Sequence, residues 1–73
     1  MDPEDREVLE ESLERMRRKD TLEQAVGRVA RKRGLDFSAY VRIISEVRER
    51  AHSSGTDQEN AARDILREGH ENP

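Results

Sequence analysis

Apolar positions recur every three to five residues along four stretches of the chain, with short polar breaks between them. Val8, Leu9, Leu13 and Met16 mark the first stretch; Leu22, Val26, Val29 and Ala30, with Ala25 alongside, mark the second. Phe37, Tyr40, Val41, Ile44 and Val47, widened by Ile43, form the third, and Ala61, Ala62, Ile65 and Leu66 the fourth. This spacing returns to one side of a 3.6-residue helix, and no stretch alternates with the two-residue period of a strand. The pattern predicts a mainly α protein, a small domain of three to four short helices at about 3–18, 21–33, 37–51 and 57–68. The third stretch is the clearest amphipathic pattern and is expected to hold the core.

Local chemistry supplies starts and stops for each helix. Asp2 and Pro3 open the first, with acids facing the positive end of the helix dipole. Asp20 with Glu23, or Thr21 with Gln24, forms a capping box for the second, and Gly34 ends it after Arg31-Lys32-Arg33. Asp36 or Ser38 caps the third. Ser53-Ser54-Gly55 reads as a linker. Thr56 with Glu59 opens the fourth helix, Gly69 stops it, and His70 to Pro73 form a polar tail. Gly27 stands in mid-helix at a cost of about 1 kcal/mol relative to Ala, and close approach of another helix is one reason for a glycine there.

Composition narrows the possibilities. Of 73 residues, Leu, Ile, Val and Phe number 14, while 42% of the chain is charged. A single core in so small a chain rarely provides more than about 3–5 kcal/mol, and without Cys there is no disulfide or thiolate metal site to help. Burial against a second copy is therefore expected, with Phe37, Tyr40, Val41, Ile44 and Val47 at a homodimer interface. The length allows one domain. The longest apolar run, Ala39-Tyr40-Val41, is far too short to cross a membrane. The acidic start, Met1 to Asp5, resembles neither a secretory signal nor a transit peptide, so a cytoplasmic location is expected.

The net charge of −3 conceals three blocks. Residues 1–14 form an acidic helix of net −6, the hairpin at 15–52 is basic (+6 over residues 15–50), and 53–73 are a short acidic helix and tail. The middle block points to an anionic partner. Alternatively its basic clusters, Arg15 to Lys19 and Arg28 to Arg33, are solvated helix faces paired with the acidic ends.

The stretch Val29-Ala30-Arg31-Lys32-Arg33-Gly34-Leu35-Asp36-Phe37-Ser38-Ala39-Tyr40-Val41-Arg42 resembles the two-helix part of ribbon-helix-helix DNA-binding proteins, over residues 21–48. The resemblance implies a dimer, phosphate contacts at the start of the third helix around Ser38, and a base-reading strand at 14–19 if it holds. Arg15, Arg17 and Lys19 would then face the groove, though that segment has no β-branched or aromatic residue. A helix-turn-helix template also fits Val29-Ala30, Gly34-Leu35, Tyr40 and Ile43, and would expose Ser38, Ala39 and Arg42.

Catalysis is not expected. His52 and His70 lack companions at metal-ligand spacing, no serine has a base and an orienting acid, and no Gly-rich phosphate loop exists, so neither metal nor cofactor is expected. The reading that best fits is a small dimeric DNA-binding protein: a transcriptional repressor, antitoxin-like regulator or plasmid or phage accessory factor. Its duplex-binding residues would be Arg15, Arg17, Lys19, Arg31, Lys32, Arg33, Ser38 and Arg42. The alternative is an all-α protein–protein interaction module without nucleic-acid binding. The acidic first helix could also fold over the basic block and mimic nucleic acid.

Overall fold

A computed structural model describes residues 1–70. It contains α1 (Pro3–Arg15), α2 (Leu22–Lys32), α3 (Phe37–Ser54) and α4 (Gln58–His70), and no strand among the described residues. The conditional strand at 14–19 is therefore not formed. Glu14 and Arg15 complete α1, and Met16 turns extended at its end (φ −66°, ψ 127°). Arg17 to Asp20 close a tight turn, in which the Asp20 N–H donates to the Arg17 carbonyl at 3.0 Å and the Asp20 carboxylate accepts the Arg17 N–H at 2.9 Å. A run of Arg and Lys has little to gain from a pleated, half-buried surface.

The helix boundaries follow short-range chemistry. Thr21 and Gln24 form the reciprocal capping box at the start of α2. Gly34, at φ +74°, reverses the chain, and the Leu35 N–H closes back onto the Ala30 carbonyl at 2.9 Å. Only glycine reaches that left-handed conformation at low cost. Gly55, at φ +63°, ends α3 in the same way, with Thr56 N–H donating to the Ala51 carbonyl at 3.0 Å. Ser53 and Ser54, expected in a linker, thus belong to α3. Asp57 rather than Thr56 caps α4, its carboxylate accepting the Asn60 N–H at 2.8 Å. Asp2 precedes α1 without a side-chain capping bond. The helix α4 continues past Gly69, the expected stop, to His70, and the rest of the expected tail lies outside the described residues.

The helices pack chiefly as two pairs, α1 on α2 and α3 on α4, joined through α2 and α3. All four contribute to one core, with Val8 and Leu9 from α1, Val26 and Val29 from α2, Ile43 and Val47 from α3, and Ala61 and Ile65 from α4 among its members. The radius of gyration is 11.5 Å, near the about 11 Å of a closed globule of this length. One chain therefore covers its own core. The inward line of α3 is Ala39, Ile43, Val47 and Ala51, spaced by four, with Ile44 beside it. Ile44 and Val47, expected at a partner interface, are buried within the single chain, because this line and not the Phe37–Val41 side faces α4 and α2.

Long-range polar contacts fix the pairing. The Arg6 guanidinium donates to the carbonyls of Ile65 and Leu66 at 3.2 and 2.7 Å, tying α1 to the last turns of α4. Glu23 of α2 accepts from Arg48 of α3 at 2.8 Å and from Gln58 of α4 at 3.1 Å. Ser12 is fully buried on α1, its hydroxyl donating to the Val8 carbonyl one turn back.

Candidate nucleic-acid interface

The C-terminal end of α1, the turn after it and the outer side of α2 enclose an open cleft of roughly 300 Å³. Arg15, Arg17, Arg28 and Lys32 form its charged walls, and Ala25 and Val29 line it as well. The spacing of α2 explains the arrangement: Ala25 and Val29, like Arg28 and Lys32, lie one turn apart, so an apolar row borders a cationic one. Gln24, Gly27 and Arg31 continue this surface along α2. Five cations thus lie on one side of the molecule, although the overall charge is negative.

Acids temper this surface without removing it. Glu11 of α1 is the hub: it meets Arg15 at 2.9 Å, Lys32 at 3.4 Å and Arg33 at 2.7 Å. The Arg33 hydrogen bond first, then the Lys32 hydrogen bond and the charges of both, hold the Glu11 carboxyl below the usual range despite some desolvation. Asp20 receives both terminal nitrogens of Arg28, at 3.2 and 2.6 Å. Hydrogen bonds from Arg28 first, and from the Arg17 backbone second, lower Asp20 to about 2. Arg17 and Arg31 have no carboxylate within bridging distance among the described residues.

Of the expected duplex-binding residues, Arg15, Arg17 and Lys32 meet in the cleft and Arg31 extends it. Lys19 is exposed in the neighbouring turn but does not line the cleft. Arg33 is committed to Glu11, with Glu7 at 3.9 Å. Arg42 is held by both oxygens of Asp5 at 2.7 and 3.0 Å, and Asp5 is itself buried. The start of α3 is not an open phosphate site. The Asp36 carboxylate already accepts the Ala39 N–H at 3.2 Å and the Ser38 hydroxyl at 2.7 Å, and its charge repels a second anion. Ala39, expected to be exposed in a helix-turn-helix arrangement, is buried. The rest of that template's apolar set does point inward: Val29, Ala30 and Ile43 are buried, and Leu35 and Tyr40 pack partly against the core.

Arg28 is the wall residue absent from the expected set. Its signal was its place one turn before Lys32 on a helix whose other face is apolar. The acidic first helix does lie against the basic block, through Glu7 and Glu11, but Val8 and Leu9 make it part of the core and not a detachable arm. The chain matches no family model, no curated protein and no solved structure. Among the described residues no helix is long and apolar enough to cross a membrane, and no cluster of three potential metal ligands occurs.

The depressed carboxylates set the acid response. Asp20, Glu11, Glu23, Asp36 and Glu68 all have lowered values in the folded chain. Each such group contributes stability that is complete above its unfolded value and is lost as pH falls through its folded one. For Asp20 the window runs from the ordinary 3.8 down to about 2. The urea midpoint is therefore expected to be level between neutral pH and about pH 5 and to decline steadily below it. A midpoint unchanged down to about pH 3 would contradict these pairings.

Proposed function

We propose that this chain is a small DNA-binding protein, of the transcriptional repressor, antitoxin-like regulator or plasmid or phage accessory kind, acting by binding and not by catalysis. The observation that carries the reading is the convergence of Arg15, Arg17, Arg28 and Lys32 around one cleft. Arginine forks suit phosphate oxygens geometrically, and Lys32 adds a point charge. Without a strand to enter the groove, these residues address the sugar–phosphate backbone, which sets position and affinity more than sequence.

Fluorescence anisotropy of a labelled duplex, titrated at several salt concentrations, tests the reading. Binding should weaken by about one decade per decade of salt for every phosphate neutralised. A complete lack of duplex binding at low salt overturns it. Glu11→Gln supplies a check of opposite sign. Releasing Arg15, Lys32 and Arg33 from their shared carboxylate should tighten binding severalfold and steepen the salt slope by about one. Weaker binding by this variant would show that Glu11 orients the cations productively instead of competing with DNA.

A second reading, an all-α protein-interaction module, is favoured by one observation: Phe37 is 76% exposed and Val41 43%. Large apolar side chains adjoining on a surface mark contact sites.

A further inference from the structure

Every other large apolar side chain among the described residues lies in the core or packs partly against it, which leaves Phe37 and Val41 as the exceptions. They stand one turn apart at the start of α3, and the Phe37 ring tilts against Tyr40 with centroids 5.6 Å apart. Beside them is a cleft of roughly 280 Å³ lined by Gly27, Arg31, Leu35, Asp36, Phe37 and Tyr40. Gly27 is the informative member. Its backbone is not left-handed, and a Cβ there would meet nothing within 4 Å. Neither conformation nor packing within the chain calls for glycine in mid-helix, where Ala is better by about 1 kcal/mol. An occupant from outside the chain gives the missing atom its reason.

We infer that the occupant is a second copy of this chain, with Phe37 of each copy entering the Gly27 cleft of the other. The patch carries both a protruding ring and a cleft, and both a cation, Arg31, and an anion, Asp36. Arg31 has no carboxylate in bridging range among the described residues, so its charge is available. A two-fold contact puts each feature against its counterpart: ring in cleft and Arg31 against Asp36, each twice. A partner of another kind would need only one half of that set. The contact takes Gly27 and Arg31 out of the cationic surface and leaves the four cleft cations, Arg15, Arg17, Arg28 and Lys32, uncovered, the last two about 100° around α2 from the contact. The inference therefore does not rest on the DNA reading, and a dimer would carry two cationic clefts.

Sedimentation equilibrium of the full chain without DNA tests it. The mass should rise from one chain to two with concentration, at a dissociation constant of about micromolar for a modest interface. Phe37→Glu and Gly27→Leu should each hold the protein at the mass of one chain up to millimolar concentration, with an unchanged helical spectrum. Arg31→Asp should weaken the dimer about tenfold or more by setting like charges face to face. A wild-type chain that stays monomeric up to millimolar concentration overturns the inference, as does a dimer that persists in either the Phe37 or the Gly27 variant.

Discussion

Ile43→Ala is expected to leave the protein only marginally folded at room temperature. Ile43 is fully buried in the middle of the inward line of α3, in the core to which all four helices contribute. Truncating a buried Ile to Ala costs about 2–5 kcal/mol, from lost transfer energy and the cavity left behind. A chain of this size has about 3–5 kcal/mol in total, so the two magnitudes are comparable. Urea unfolding followed by circular dichroism measures the loss. Ile43→Val should cost about 0.5–1.5 kcal/mol, and Val41→Ala, on the exposed side of the same helix, should change little. Equal effects at positions 41 and 43 would mean that α3 does not face the core as described.

Removing Arg17 and Lys32 together should reduce duplex affinity by roughly tenfold to a hundredfold at moderate salt and flatten the salt slope by about two. These two are chosen because they line the cleft and carry little of the fold. Arg17 has no ion pair among the described residues, and Lys32 reaches Glu11 only at 3.4 Å. The double variant Arg17→Ala/Lys32→Ala should therefore keep its helical spectrum and urea midpoint while losing DNA. Arg33→Ala, by contrast, removes a cation already held by Glu11 and should affect binding far less. If Arg33→Ala proved the more damaging change, the DNA surface would lie across α1 and not along α2.

The helical class and most helix limits were legible because their causes are local. A capping box spans four residues, and the glycine at φ +74° ends its helix by its own backbone conformation. The misplaced details were also local competitions. Asp57 displaced Thr56 as a cap one residue along, and α3 ran on through Ser53 and Ser54 until Gly55 ended it. The third helix shows where locality fails. Phe37, Tyr40, Val41, Ile44 and Val47 share a broad apolar face with Ile43, and periodicity cannot say which part of it the rest of the chain covers. Packing against α2 and α4 took the Ala39–Ile43–Val47–Ala51 line and left Phe37 and Val41 outside.

Residue order alone carries three to four helices, the stop at Gly34, a break near Gly55, and an excess of positive charge in the middle of the chain. These depend on dihedral preference, capping and composition, which act over a few residues or none. Which of the cations remain available follows from the packing of the helices. Arg42 is neutralised from 37 positions away by Asp5, and Arg33 from 22 positions away by Glu11. Coulombic pairing depends on distance in space, and that distance is set by how the apolar faces of α1, α2 and α3 bury one another.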